Sequence, residues 1–423
     1  MFDQPTLLPR RNANACESTN QGRPTQFMKR LLIPPLLGFG FLVSGFGFSQ
    51  DKKPGWLESY ADPDFGSTIT WITGEPGGVI PTIDGTWGDV VRHGYSKEAV
   101  WNADSSLLLL RRNEAWPAWL FLDGKTYAPL FGRNDILGVE ARLHPRKTDV
   151  MVFVKNDTLG FWNVRENKTE VAATFAGYSE LHIGPWEGNL SEDGNRIVLA
   201  GKKDSKSVAF AYDFSTKKKY PDLDLTSSTL DWFSISASGK FVVINGNITG
   251  GDHGDQSQVY DLDGKKISKP WTEYGRPSHY DLTIDADGND IAVGGSKSKP
   301  DDGRVIKRRL SDGKVTVLTP SGYASHVSTR NVDLPGPAFV TYQQRTENWP
   351  PYIDEVVAVK LDGSLTVKRI SHMRTRETDY MTQAHAVPSP AGKRVLWASD
   401  WEAEKRRPIG VLVAELPTGR GPK

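Results

Sequence analysis

The chain has 423 residues, and its 52 Lys+Arg almost cancel its 51 Asp+Glu, which excludes a strongly basic nucleic-acid binder. Apolar residues make up 38% and charged residues 24%, with 41 Gly, 27 Pro and 13 Trp, a turn-rich and aromatic-rich composition that excludes disorder and a helical bundle. The single cysteine, Cys16, lies near the N-terminus, so the folded part has no internal disulfide, cysteine zinc site, thiol nucleophile or iron–sulfur cluster.

Residues 1–27 are polar and aperiodic and read as an extension from a misassigned start. From Met28 the sequence runs Met-Lys-Arg and then uncharged from Leu31 to Phe48, the basic and apolar regions of a secretory signal over 28–49. Gly47 and Ser49 are spaced for cleavage after Ser49, while Pro34-Pro35 and the glycines weigh against a stable membrane span. The expectation is a periplasmic or extracellular protein of an exporting bacterium. Nothing in the sequence speaks to oligomeric state.

One unit then recurs along the chain: polar or aromatic residues, a Ser/Asp/Gly turn, and a short aliphatic run. It appears at Trp101-Asn-Ala-Asp-Ser-Ser, Leu143-His-Pro-Arg, Leu190-Ser-Glu-Asp-Gly, Ile235-Ser-Ala-Ser-Gly, Ile284-Asp-Ala-Asp-Gly, Asn331-Val-Asp-Leu-Pro-Gly and Pro388-Ser-Pro-Ala-Gly. Between the copies fall hairpin signals such as Phe121-Leu-Asp-Gly-Lys, Tyr260-Asp-Leu-Asp-Gly-Lys and Leu310-Ser-Asp-Gly-Lys, where glycine accepts positive φ. A period of roughly 42 to 58 residues is that of four-stranded propeller blades. The prediction is an all-β chain, a seven-bladed β-propeller over 56–423, closed by the early strand Thr68-Ile-Thr-Trp-Ile against the terminal blade.

The turn Pro388-Ser-Pro-Ala-Gly-Lys-Arg-Val-Leu-Trp resembles the TolB-type, WD40-like propellers, with Ala391 where that group usually has Asp. Within the group the C-terminal part is similar to the propeller polysaccharide lyases of the oligogalacturonate lyase and ulvan lyase kinds. The former hold a divalent metal over the central channel with a glutamine and histidines just ahead of the last turn. Gln383 and His385 stand in that position, with Ala384 between them and one histidine where the family has two.

Residues that open each innermost strand should face one mouth of the channel. His93, His182, His279, His326 and His385 are placed there at corresponding points of different blades. A divalent metal (manganese, calcium or zinc) is expected on His279, His326, Gln383 and His385, imidazole and amide donors suited to such ions. β-Elimination on a uronate also needs a cation for the carboxylate, a base and an acid. Arg330 is assigned as cation, His93 or His182 as base and Tyr95 as acid, while Arg92, Arg142, Trp186 and Tyr280 are substrate contacts. Trp101 and Trp232 are expected to pack between blades, and His144 and His253 to be structural or exposed. The expected function is lyase cleavage of a uronate polysaccharide. The alternatives are a non-catalytic propeller binding glycan or protein, and a hydrolase using carboxylates among Glu140, Glu187, Asp231 and Asp281.

Overall fold

The computed structural model describes residues 52–134, 140–184, 187–248, 256–271, 276–342, 350–376, 379–403 and 408–416. The N-terminal segment with the expected signal, Trp186 and His253 lie outside them.

The described residues form seven antiparallel blades in chain order around an axis. Blade 2 shows the regular pattern, Glu140–Leu143, Val150–Lys155, Thr158–Asn163 and Lys168–Thr174, each strand paired with the next. Blades 5 and 6 repeat it from Pro277–Ile284 and Ala324–Ser328 outward. In blade 4 the outer edge is reduced to the bridges Ser257–Trp271 and Tyr260–Lys266. Blade 7 takes three strands from the C-terminal end, Val387–Pro388, Arg394–Ser399 and Gly410–Glu415, and completes its sheet with Thr68–Trp71 and Ser59–Ala61. The predicted closing strand is thus in place, and ladder hydrogen bonds between the two ends of the domain shut the ring.

The repeated turn has a local cause. Ser191 Oγ accepts from Arg196 N at 2.9 Å and donates to Asp193 Oδ1 at 2.5 Å, while Gly194 N donates to Ser191 O. Ser236 and Ser389 repeat the bond to Phe241 N and Arg394 N. In blade 5 Asp285 Oδ1 replaces the hydroxyl, accepting from Asp287 N and Asn289 N. The short side chain satisfies amides that the turn would leave unpaired.

Strand alternation divides the apolar residues between successive blades. Leu108 and Leu110 pack with Leu396, Val411 and Val413 of blade 7, whereas Leu107 and Leu109 pack with Ala141, Met151 and Phe153 of blade 2. The four-leucine run is buried throughout because both faces of its blade are covered. The same division produces an apolar layer at every junction, including Trp397 with Phe339 and Ile370 between blades 6 and 7. Trp101 and Trp232 sit in such layers, as expected.

Blades 1 and 3 depart from the regular form in a way that shapes the channel. Their innermost strands are interrupted: Val91–Arg92 pairs with Arg112–Asn113, the chain loops through residues 93–98, and pairing resumes at Trp101 with Leu108. In blade 3 the ladder Tyr178–His182 is followed by a loop before Ser191 pairs with Arg196. This loop is held close to its neighbours by Gly188, where a Cβ would fall 1.8 Å from Ile183 O and 2.5 Å from Phe233 O.

Candidate functional site

The blade 1 loop carries four consequential side chains into the channel. Glu98 is buried against Arg111 (2.7 Å) and Arg142 (3.7 Å). Lys97, 1% exposed, reaches Glu187 Oε2 of blade 3 at 2.5 Å, and its Nζ lies 3.7 Å from the Trp232 ring centroid of blade 4. Asn189 Nδ2 donates to Lys97 O, fixing the same crossing. Tyr95 turns its ring toward the histidines, and His93 Nε2 donates to His385 O at 2.7 Å. The loop therefore crosses the channel as a septum, tying blade 1 to blades 3, 4, 6 and 7.

On the strand-start side three of the predicted histidines meet. His279 and His326 stack with centroids 4.6 Å apart and planes 16° from parallel, and His326 meets His385 edge-on at 4.2 Å. Tyr95 packs against both His326 and His385, at 5.4 and 4.7 Å. His279 and His385 have φ of +44° and +49°, left-handed values that cost a non-glycine residue about 1 kcal/mol or more and that cluster at functional sites. His279 sits in a register slip between Ser278 and Asp281, a bulge that lifts it out of the ladder.

His279 and His326 each have one ring nitrogen engaged, and His385 has both. His279 Nδ1 donates to Ser325 O (2.8 Å), His326 Nδ1 bonds to Ser325 Oγ (2.8 Å), and His385 Nδ1 accepts from Arg92 Nη2 (3.0 Å). On His279 the bond to Ser325 O leaves the Nε2 lone pair open, whereas on His385 the bond from Arg92 places the proton of the neutral ring on Nε2. His385 Nε2 donates to Gln383 Oε1 at 3.0 Å, which holds the two side chains together. Burial, followed by the charge of Lys297 and Lys97, pushes His279 down to about 4. Burial and neighbouring cations hold His326 and His385 well below the usual imidazole range. All three are neutral at pH 7, the form that binds metals. The donor set, neutral imidazoles with an amide oxygen and oriented outer partners, fits a borderline divalent ion in kind. Among the described residues the trio does not bring three nitrogens within 4.8 Å of one another.

The remaining predicted residues fall elsewhere. Arg92 is buried and donates to Met381 O (2.5 Å), Tyr380 O, Gln383 O and His385 Nδ1, so it positions the Gln383 and His385 segment instead of meeting a substrate. His93 is buried and pushed down to about 3 by burial and by Arg92, which removes it from the mouth. Arg142 is consumed by Glu140 Oε1, Gly184 O and Gly188 O, pinning the blade 3 loop. Arg330 makes a two-armed ion pair with Asp281 between blades 5 and 6, on the turn side. Tyr280 is buried between Trp232 and Trp271 and donates to Ser257 Oγ. His182 is 56% exposed beside Glu140. It pairs with Ala200 as Asp281 pairs with Val293, so the blade 3 counterpart of His279 is Glu180, not His182. His144 accepts from Arg146 N and Lys147 N within its turn.

Of the carboxylates considered for hydrolysis, Glu140, Glu187 and Asp281 are held in ion pairs. Sequence reasoning missed Lys97; its one visible signal was a lysine inside an otherwise channel-facing Tyr-Ser-Lys-Glu segment. A second His–carboxylate group, Asp62, Asp64 and His372, lies away from the channel. Asp62 there accepts from Asp64 N, Phe65 N, Ser371 Oγ and His372 N, and ties the N-terminal strands to blade 6.

No family model and no curated protein matches the chain. Among solved structures, an oligogalacturonate lyase in complex with manganese is similar at 16% identity and TM-score 0.58, over 85% of this chain and 96% of that one. An oligogalacturonate lyase from Vibrio parahaemolyticus is similar at 13% identity with the same TM-score and coverage. TolB from Acinetobacter baumannii is matched at 12% identity, TM-score 0.38, over 70% of this chain and 75% of that one. At these identities the likeness is one of fold: the chain is a seven-bladed propeller of the architecture seen in the oligogalacturonate lyases.

Proposed function

We propose that this propeller is an exported polysaccharide lyase that cleaves a uronate-containing glycan by β-elimination at the histidine mouth, with a divalent metal on His279, His326, Gln383 and His385. The observation that carries the reading is the ring contact of three neutral imidazoles from blades 5, 6 and 7, two at left-handed φ, beside an amide oxygen hydrogen-bonded to one of them. The likeness to a lyase in complex with manganese makes that ion the first choice. A bound cation there would neutralise the uronate carboxylate and make the adjacent ring proton easier to remove.

The chain's own residues divide the remaining work. Arg92 holds His385 and the Gln383 backbone in place. Tyr95, whose ring touches two of the three imidazoles, is assigned proton transfer. Export to the periplasm or beyond follows from the Met28–Ser49 pattern and matches a polymer substrate.

The test is incubation of the purified protein with pectic, ulvan-type, alginate and glycosaminoglycan polymers, with and without chelator, while following ultraviolet absorbance of the unsaturated uronate. Signal on one polymer, lost with chelator and restored by manganese, is the expected result. Glycan binding with no absorbance change on any polymer would replace this reading with that of a binding propeller, consistent with the stacked, unconverged rings of His279 and His326.

A further inference from the structure

Of the two aromatic residues expected to meet a sugar, Trp186 lies outside the described residues and Tyr280 is buried between Trp232 and Trp271. The rings gathered at the histidine mouth are nearly as closed, since Tyr95, His326 and His385 keep 7%, 3% and 1% of their surface. One further ring stands beside them and is open. Tyr380 has its centroid 5.5 Å from that of His385, with the planes 72° apart, and is 55% exposed.

The backbone under this exposed ring is fixed. Tyr380 opens the short 3-10 turn Tyr380–Thr382, where Asp379 Oδ1 accepts from Met381 N at 2.7 Å and Thr382 Oγ1 accepts from Asp379 N at 3.1 Å, a reciprocal cap. Thr375 Oγ1 donates to Thr382 O at 2.7 Å, and Met381 packs on Val90, Ala398 and Ile409. Arg92 then ties the turn to the imidazoles: Nη1 donates to Tyr380 O (3.3 Å) and Met381 O (2.5 Å), while Nη2 donates to Gln383 O and His385 Nδ1. One guanidinium thus sets the register between the open ring and His385. A tyrosine on a held backbone has only two side-chain torsions to lose on contact, so little entropy opposes binding there.

The blade 5 side of the same group is cationic. Lys297 is exposed one residue beyond Ser296, which pairs with Pro277 at the start of the His279 strand. Its charge and that of Lys97 act on the His279 ring, against that of Asp231. An acidic sugar is drawn to this side, which leaves its neighbour along the polymer towards blade 7.

We propose, on the reading of this mouth as a glycan site, that Tyr380 is the stacking platform of a sugar subsite on the blade 7 side, taking by its C–H face the pyranose next to the uronate. The ring offers apolar area and the negative face of its π-system to the sugar's C–H groups, and the phenol hydroxyl is not required.

Affinity electrophoresis with manganese present, in gels cast with polygalacturonate, ulvan, alginate or chondroitin sulfate, tests this on wild type, Tyr380→Ala and Tyr380→Phe. At least one polymer should retard the wild type. Tyr380→Ala should weaken that binding by at least about tenfold, as truncation of an aromatic anchor does. Tyr380→Phe should stay within about twofold of wild type, because the ring face remains. Manganese affinity by titration calorimetry and the thermal midpoint should be unchanged in both variants. Retardation of Tyr380→Ala equal to that of wild type would overturn the platform and leave the glycan reading standing. An equal loss in Tyr380→Phe and Tyr380→Ala would overturn it by assigning the contact to the hydroxyl, and a parallel fall in manganese affinity would overturn it by reducing Tyr380 to a support of His385. Absence of wild-type retardation on all four polymers would overturn the glycan reading and the platform with it.

Discussion

The Lys97–Glu187 pair joins blade 1 to blade 3 across the axis, and removing either end should cost far more than an ion pair at the surface. Lys97 is 1% exposed and Glu187 13%, with Nζ and Oε2 2.5 Å apart and the Trp232 face 3.7 Å from the cation. In Lys97→Met the partly buried carboxylate loses its counter-ion, at a cost of about 3–5 kcal/mol, to which a desolvated cation–π contact adds about 1–2 kcal/mol. In Glu187→Gln an acceptor oxygen and the Trp232 face remain, so the cost falls to about 1–3 kcal/mol. The double variant leaves no charge stranded, so its loss should be smaller than the sum by at least about 2 kcal/mol. Urea denaturation of the four proteins, followed by tryptophan fluorescence at equal m-values, measures that coupling. Losses that add to within about 0.5 kcal/mol would refute the septum as a coupled unit and reduce the contact to two independent side chains.

Other expectations follow from the same geometry. Arg92→Ala should lower manganese affinity and any elimination rate by at least tenfold with a folded domain, because His385 Nδ1 and three carbonyls lose their donor; titration calorimetry and circular dichroism separate the two effects. His279→Ala and Gln383→Ala should each weaken manganese binding by roughly 10- to 100-fold, and unchanged affinity in both would remove these residues as ligands. His93 is held neutral down to about 3, whereas the unfolded chain takes up its proton near 6.5. Its contribution is therefore complete above pH 6.5 and is lost at about 1.4 kcal/mol per pH unit as pH falls from there towards 3. His93→Gln, which can still donate to His385 O, should flatten urea midpoints between pH 6.5 and 4.5, and an unaltered slope would contradict the burial argument. Leu109→Ala, in the layer between blades 1 and 2, should cost about 2–5 kcal/mol, against under about 0.5 kcal/mol for exposed Leu365→Ala.

What the sequence determined by itself was periodic and local. The serine and aspartate turns bind their own amides, the Asp-Gly hairpins use glycine's φ, and the alternating aliphatic runs divide between two junctions, so blade number and closure at Thr68–Trp71 were legible. The three histidines that met were also legible, since they stand six, five and four residues before Asp285, Asn331 and Ser389. His93 and His182 stand nine residues before Asn102 and Ser191, and those extra residues are the two loops of the septum. Only the tertiary structure decided where they went. A bulge shifts register without changing composition, so nothing in the chain marked Glu180 and not His182 as the counterpart of His279. Whether an arginine is free or engaged depends on carbonyls and carboxylates distant in sequence, which is why nothing in the chain marked the hydrogen bonds that Arg92, Arg142 and Arg330 make. Lys97 and Glu187, ninety residues apart, became one pair because two interrupted strands let their loops cross the axis, a meeting that no local pattern encodes.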